Sequence, residues 1–182
     1  MAASLVAMVA GLTAGREKYA EVNDEMVVLQ ELGTRETGAF LDCADADAAA
    51  FDKVMAALAL PKATDEEKAV RKAALQAGYQ DATTSPLETM KHAVVVMRGA
   101  LAAASRGNTN ALSDGYVGFL MSNSAFQGAL WNVAINLPSL KDESFKEAIL
   151  ADVARLRAEQ QEIADAMQTL TPDPVQRFLK TK

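Results

Sequence analysis

The sequence predicts an all-α protein: a single-domain bundle of about six helices, with one long second helix, over residues 1–182. Three observations support this prediction. Apolar residues recur at helical spacing, alternating β-branched runs are few, and alanine is enriched as it is where helices pack closely. Half of the residues are hydrophobic and 23% are charged, which is the composition of a folded globular chain rather than a disordered one.

Start and stop signals divide the first half of the chain into three helices. The first ends at Gly15, and Asn23 is the expected N-cap of the second, which no proline interrupts before Pro61. Thr64 and Glu67 form a capping box that opens the third. These helices cover approximately residues 2–14, 24–60 and 64–82.

Three further helices are predicted in the second half of the chain. Ser85-Pro86 opens the fourth, because proline favours the first turn of a helix. Pro138 ends the fifth, and Asp142 caps the sixth. These helices cover approximately residues 85–107, 110–137 and 142–170. The inward stripes of the fourth and sixth are Leu87, Met90, Val94, Met97 and Leu101, and Ile149, Val153, Leu156, Ile163 and Met167.

Composition and charge exclude several classes of function. A single cysteine, Cys43, rules out an internal disulfide, and with a single histidine, His92, it removes the usual zinc and copper ligand sets. The net charge of −6 disfavours nucleic acid as a partner. The longest apolar stretch, residues 4–15, is too short to cross a membrane and has no basic region before it, so we expect a cytoplasmic protein without a targeting segment.

One aspartate of the second helix stands apart from its neighbours. Relative to Asp47, the residues Asp42, Asp45 and Asp52 lie at about 140 to 220 degrees around the helix, which is typical of a solvated face. Asp47 instead shares its side with the apolar residues Phe40, Cys43, Phe51, Val54 and Leu58. An inward carboxylate is either hydrogen-bonded for structural reasons or retained as a base, and spacing alone leaves both readings open.

The fifth helix is apolar on nearly every side, which predicts a central helix or a subunit interface. Its polar exceptions Asp114, Asn132 and Asn136 lie within about 40 degrees of one another, on a strip of mostly small residues. Close helix packing explains this strip, and so does a ligand trough.

A few cations occur at predicted helix ends, where they could hold an anionic ligand. Arg16 and Lys18 lie between the first two helices, and Lys62 follows the second. A solvated connection has the same pattern, so the spacing does not decide. His92 points sideways from the apolar stripe of its helix, which favours a surface or interface position over a catalytic one.

Five segments, taken together, resemble the cyclodeaminase/methenyltetrahydrofolate cyclohydrolase family. They are AGLTAGREKYAEV, DADAAAFDKVMAALALPKATDEEKAVRKAALQ, SPLE, GNTNALSDGYVGFL and GALWNVAINLPSLKDESF, in the family's order over nearly the whole chain. The resemblance implies an all-α, usually homodimeric enzyme that acts on a tetrahydrofolate carrying a one-carbon unit, without a metal or redox cofactor.

The resemblance also assigns roles to residues. The family's catalytic aspartate matches Asp47, and its basic loop matches GREKY, with Lys18 as the best-matched position. Arg16 and Tyr19 of the same loop are expected to bind substrate. The SD and NVxIN segments place Ser113, Asp114, Asn132 and Asn136 in the folate pocket, while Lys62 or Arg16 would meet the substrate's glutamate carboxylates.

Two departures from the family pattern are visible. The proline- and glycine-rich segment that leads into the family's first helix has no counterpart in a chain that starts MAASLVAMVAG, so we expect that segment to be absent. Thr109 stands where proline is common.

The resemblance favours hydrolysis of 5,10-methenyltetrahydrofolate to 10-formyltetrahydrofolate, with Asp47 as general base and Lys18 assisting. Cyclodeamination of 5-formiminotetrahydrofolate, with release of ammonia, is the first alternative. A non-catalytic helical module that dimerises or binds a partner is the second.

Overall fold

The structure, a computed structural model, describes residues 1–170 and residue 173. Within these residues the secondary structure is helical and contains no strand, which confirms the all-α prediction. Residues 1–170 form five α-helices, joined by turns and short 3-10 segments: α1 Ala2–Gly11, α2 Asn23–Ala59, α3 Asp65–Arg106, α4 Leu112–Asn136 and α5 Glu143–Leu170. No helix in this part of the chain is both long and apolar enough to cross a membrane.

The predicted break before Pro86 is wrong, because Pro86 lies inside the continuous helix α3. A proline within a helix has no N–H to give to the carbonyl four residues earlier. Here that carbonyl belongs to Ala82, and the side-chain amide of Asn136 donates to it over 2.7 Å. The third and fourth predicted helices are therefore one helix of 42 residues.

Some of the helix caps predicted from the sequence are present in the structure, and one is not. Thr64 and Glu67 form the expected capping box, with each side chain bonded to the other residue's backbone N–H. Asp142 accepts a hydrogen bond from the Phe145 amide at the start of α5, also as predicted. Asn23 is not an N-cap, because its own backbone is helical and its side-chain oxygen instead accepts the Gly15 amide at 2.9 Å.

The chain forms two compact units. The first comprises Met1–Thr37, Val94–Asn123 and the described residues from Arg157 onward. Its core is built from Val6, Val9, Met26, Met97 and Met167, which are all fully buried. In this unit α1 packs directly on the backbone of α2 at Gly33, where an added Cβ would lie 2.6 Å from the carbonyl oxygen of Ala3.

The second unit comprises Gly38–Ala93 and Ser124–Leu156. Its most buried side chains include Leu87 and Met90, which the predicted stripe of the fourth helix contains, together with Phe126, Val133 and Leu140. The asparagine contact to Ala82 described above lies within this unit.

Candidate functional site

Asp47 of α2 and Asn132 of α4 lie in the second unit, where both line the same two small clefts. One cleft has a volume of about 220 Å³ and is otherwise lined mainly by apolar side chains and Thr89. The other, of about 270 Å³, is also lined by Phe51, Ile135 and Asn136. A carboxylate and a primary amide therefore face a partly apolar space.

The expectation that Asp47 points into the core is wrong. Its side of α2 is buried only at Cys43 and Val54, whereas Phe51 is 62% exposed and Leu58 is 43% exposed. Asp47 itself is exposed, because it lies beside the row of buried residues on α2 rather than within that row. The three aspartates expected on a solvated face, Asp42, Asp45 and Asp52, are exposed as predicted. Asp47 is thus a cleft carboxylate that a ligand can reach without displacing core side chains.

The two asparagines of α4 that the sequence singled out, Asn132 and Asn136, differ in what they bind. The Asn136 amide nitrogen is occupied by the Ala82 carbonyl. Asn132 is exposed, and its side chain makes no hydrogen bond to any described residue. Of the two, Asn132 has its donor and acceptor available beside Asp47.

The remaining predicted residues near the start of the chain lie in the first unit. Tyr19 accepts the backbone N–H of Thr109 at 3.1 Å, and the Lys18 ammonium lies 5.2 Å from the centre of the Tyr19 ring. The Thr109 hydroxyl, followed by the Thr109 amide, holds the pKa of the Tyr19 phenol below its usual value, with a smaller contribution from Lys18. Arg16 is exposed and forms no ion pair with the described residues.

Ser113 and Asp114 lie in the first turn of α4, also in the first unit. Ser113 is exposed and Asp114 is half-buried. Neither side chain is hydrogen-bonded to another described residue, and a carboxylate in the first turn is favoured by the unpaired amides there. The predicted residues therefore fall into two groups, and the second unit contains Lys62 as well as Asp47 and the two asparagines.

The structure places further cations around Lys62 whose grouping the sequence did not reveal. A cleft of about 350 Å³ in the second unit is lined by Lys62, Lys68, Arg71, Lys72 and Lys141. The Arg71 guanidinium is held by the Leu58 carbonyl at 3.2 Å, and the side chain of Gln76 binds the backbone of Ser139 and Lys141. Positions 68, 71 and 72 lie on one face of a helix, and this spacing could have predicted a cluster of cations from the sequence. Lys141 could not be predicted in this way, because it comes from a distant segment.

A larger groove of about 710 Å³, also in the second unit, has a floor of alanines from α2. Asp42, His92 and Ser85 line it, as do Lys53 and Asp81, which form an ion pair at 2.6 Å. The Ser85 hydroxyl is buried and has no hydrogen-bond partner among the described residues. His92 is half-buried, with its ring 6.2 Å from that of Phe40.

Comparisons with known proteins identify relatives of this chain. The family model described as formiminotransferase-cyclodeaminase matches residues 1–155. A methenyltetrahydrofolate cyclohydrolase of Methylorubrum extorquens is 39% identical over 163 residues, which cover 87% of this chain and 76% of that protein. The formimidoyltransferase-cyclodeaminase of Rattus norvegicus is 33% identical over 81% of this chain but only 27% of its own length.

The fold also matches a solved structure. The crystal structure of a formiminotetrahydrofolate cyclodeaminase from Thermotoga maritima superimposes with a TM-score of 0.85 at 26% identity, covering 96% of this chain and 83% of that one. The resemblance inferred from the five segments is thereby confirmed. The chain belongs to the formiminotransferase-cyclodeaminase family.

Proposed function

We propose that this protein is a hydrolase that converts 5,10-methenyltetrahydrofolate to 10-formyltetrahydrofolate. The observation that carries the proposal is the pairing of Asp47 and Asn132 in a partly apolar cleft, in a chain 39% identical to a methenyltetrahydrofolate cyclohydrolase over most of its length. The substrate's amidinium-like carbon is already electrophilic, so the protein needs only to place a water and remove its proton.

Asp47 acts as the general base in this proposal. As the water oxygen bonds to the methenyl carbon, the Asp47 carboxylate takes a proton from the water. The adduct's hydroxyl then gives up the second proton of the water as its C=O bond forms, the bond to the ring nitrogen N5 breaks, and N5 receives a proton. The formyl group remains on N10, and one proton is released overall. The free amide of Asn132 is suited to orient the water or the adduct by hydrogen bonding.

Other residues bind the substrate or assist the proton transfer. Lys18 orients the water or protonates the departing nitrogen. Tyr19, in the same basic segment, contacts the substrate. Four polar residues of α4 contribute to the folate pocket, namely Ser113, Asp114, Asn132 and Asn136. The reaction needs neither a metal nor another cofactor.

The cationic cleft supports a site for the substrate's glutamate carboxylates. Four lysines and Arg71 line it in a chain whose net charge is −6, so the positive charge is gathered locally. Lys62, as the sequence suggested, and the cations beside it would bind these carboxylates by charge-assisted hydrogen bonds. Arg16 is a second candidate for the same contact.

We also propose that the enzyme works as a cytoplasmic homodimer. Phe51, Trp131 and Ile135 are large apolar side chains that are 62 to 75% exposed in the second unit. Contiguous apolar surface of this kind is typical of an interface, and a second copy of the chain is the partner that the resemblance implies.

The decisive experiment follows the loss of the methenyl chromophore with purified protein, corrected for spontaneous hydrolysis. We expect enzyme-dependent loss, and Asp47→Asn should lower turnover at least about a hundredfold, because it removes a general base without changing the shape of the side chain. Asp45→Asn, an exposed aspartate on the solvated face of the same helix, is the matched control. Normal turnover in Asp47→Asn would refute the role of Asp47.

Cyclodeamination is a second candidate function, favoured by the likeness to the Thermotoga maritima cyclodeaminase. Its measurement is ammonia release from 5-formiminotetrahydrofolate by the same preparation. Faster ammonia release than methenyl hydrolysis would reverse our assignment. If neither reaction is accelerated and folates do not raise the melting temperature, the chain is a non-catalytic binding module.

A further inference from the structure

A groove of the second unit runs between α2 and α3 and has no role in the proposed hydrolysis. Its volume of about 710 Å³ lies within the range of small-molecule sites, which is about 300 to 1,000 Å³. Four alanines of α2 form its floor, and residues of α3 line its other wall. Ala46 and Ala49 are exposed, so a ligand can reach this floor from solvent. The groove can therefore admit a flat apolar group.

The groove lies on the side of α2 away from Asp47. Helix α3 packs on α2 at Gly78, where an added Cβ would lie 3.0 Å from a methyl group of Val54. Val54, like Cys43, belongs to the row of buried residues on α2. At about 100 degrees per residue, Ala46 lies about 100 degrees around α2 from Asp47, with that row between them. The contact between the two helices therefore separates a ligand in the groove from the Asp47 clefts.

The hydroxyl of Ser85 is the unusual polar group of this groove. Ser85 lines the groove and is 8% exposed, and its hydroxyl is buried without a hydrogen-bond partner among the described residues. Three threonines of the same helix behave differently, because each hydroxyl donates to the carbonyl four residues earlier, at 2.7 to 3.4 Å. These are Thr83, Thr84 and Thr89. An unpaired buried hydroxyl is unfavourable, so a polar group that enters the groove would supply the partner that Ser85 lacks.

The charges that line the groove favour a cationic ligand. Lys53 and Asp81 form an ion pair at 2.6 Å, and Glu88 is paired with Lys91 at 2.8 Å. Asp42 is exposed and has no hydrogen bond or ion pair with a described residue. The groove therefore offers one unpaired carboxylate beside an apolar floor, and such a carboxylate attracts a positively charged group.

We propose that this groove binds a small ring compound that carries an ammonium group and a second hydrogen-bonding group. The ring lies on the alanine floor and the ammonium group faces Asp42. The second group bonds to the Ser85 hydroxyl, which can donate or accept a hydrogen bond. A protein helix could cover the alanines, but its backbone N–H and C=O groups are bonded within the helix and leave none for Ser85. The site is independent of the proposed hydrolysis, so either can fail without the other.

Three indole compounds of similar shape test the site, because their side chains differ in charge: tryptamine, tryptophol and indole-3-acetate. Each is titrated into ¹⁵N-labelled protein, and the shifts of the backbone amides give both the location of binding and the dissociation constant. Tryptamine should bind saturably, with the largest shifts at Ala46, Ala49 and Ser85. It should bind about three- to fivefold more tightly than tryptophol through one exposed ion pair, and at least about tenfold more tightly than indole-3-acetate, which Asp42 repels.

Variants of the two proposed contacts should change binding in different ways. Asp42→Asn should remove the preference for tryptamine over tryptophol, because the charge is lost while the shape is kept. Ser85→Ala should weaken the binding of both compounds by about three- to tenfold, because the indole N–H loses its acceptor. The melting temperature of Ser85→Ala without ligand should not fall, since the hydroxyl has no partner in the protein to lose. Asp45→Asn, which changes an exposed aspartate of α2 outside the groove, is the matched control and should bind as the unmodified protein does.

The results that would overturn the proposal concern the location and the selectivity of binding. An absence of saturable shifts at millimolar tryptamine would show that the groove is not a site for such a compound. Largest shifts at Ala129 and Asn132 would place the compound in the Asp47 cleft instead. Equal affinity for the three compounds, or unchanged binding in both Asp42→Asn and Ser85→Ala, would refute the two contacts. If tryptamine lowers the sedimentation coefficient of the protein, the groove binds a second copy of the chain rather than a small molecule.

Discussion

At the scale of single residues, Asn136 has a structural task that its place in the sequence does not reveal. Its amide donates to the Ala82 carbonyl, which Pro86 leaves without an intrahelical partner. A half-buried carbonyl that loses its only donor costs about 1 to 3 kcal/mol. Asn136 can still contact substrate through its side-chain oxygen, but its first effect should be on stability.

A double-mutant cycle between Asn136 and Pro86 tests this assignment. Asn136→Ala should lower the free energy of unfolding by about 1 to 3 kcal/mol in urea denaturation. In a Pro86→Ala background the same change should cost less, because residue 86 then has an N–H for Ala82. Equal costs in both backgrounds would contradict the proposed compensation.

Lys62 and Lys72 allow a residue-level test of the cationic cleft. Lys62→Gln and Lys72→Gln should each raise KM about two- to fivefold for a polyglutamylated substrate, because an exposed ion pair contributes roughly that much to binding. kcat should not change. Lys146→Gln, which removes a cation paired with Glu143 on α5, is the control. An equal rise in KM for mono- and polyglutamylated substrates would argue against a role for the cleft in binding the tail.

Residue-level prediction succeeded where the relevant information was local. The capping box of Thr64 and Glu67 spans three positions, and helical phase correctly placed Asp42, Asp45 and Asp52 on an exposed face. The same helical periodicity wrongly placed Asp47 in the core. An angle of 100 degrees per residue does not distinguish a row of buried residues from the positions just beside it. Whether such a position is buried depends on the neighbouring helices, which are distant in the sequence.

At the scale of elements, the continuity of α3 shows how a tertiary contact overrides a local signal. Ser85-Pro86 has the pattern of a helix start, yet the chain stays helical through it, with a donor 54 positions away. The cationic cleft was missed for a related reason, since Lys141 joins Lys62 and Lys72 only after folding. The all-α class and the observed helix ends, to within three residues, were within reach of the sequence, whereas these long-range partnerships were not.

The packing of α1 on α2 gives a prediction at the same scale. An alanine Cβ at position 33 would lie 2.6 Å from the Ala3 oxygen and 2.7 Å from the Ala7 nitrogen, which are backbone atoms that cannot move alone. Gly33→Ala should therefore destabilise the fold by about 1 to 3 kcal/mol.

Gly38→Ala on the same helix is the matched control, because nothing lies within 4 Å of its added Cβ. It should stabilise the protein by about 0.5 to 1 kcal/mol through helix propensity alone. Opposite shifts in the urea midpoint are the expected result. A loss of stability in both variants would show that backbone flexibility at these glycines, rather than close packing at Gly33, is what α2 requires.

At the scale of the whole molecule, the second unit exposes large apolar side chains on two helices, which is more typical of an interface than of a monomer's surface. Phe51, Met55 and Leu58 are exposed at helical spacing on α2, and Trp131 and Ile135 are each 75% exposed one turn apart on α4. Phe51 and Ile135 also line a cleft with Asp47, so the same surface that favours a second copy borders the proposed catalytic carboxylate. Assembly and activity should therefore be linked.

Trp131→Lys tests this link, because it places a charge at an exposed tryptophan outside the Asp47 clefts. We expect its dimer dissociation constant, measured by analytical ultracentrifugation, to rise at least about thirtyfold, as for other buried aromatic anchors of interfaces. Leu150→Lys, which changes an exposed apolar residue on α5, should leave the dimer intact. Turnover of Trp131→Lys should fall at protein concentrations where it dissociates and recover at higher concentrations, because in the proposed dimer the second copy would cover the border of the cleft. A wild-type protein that sediments as a monomer at micromolar concentration would refute the dimer, and turnover independent of concentration in Trp131→Lys would refute its link to catalysis.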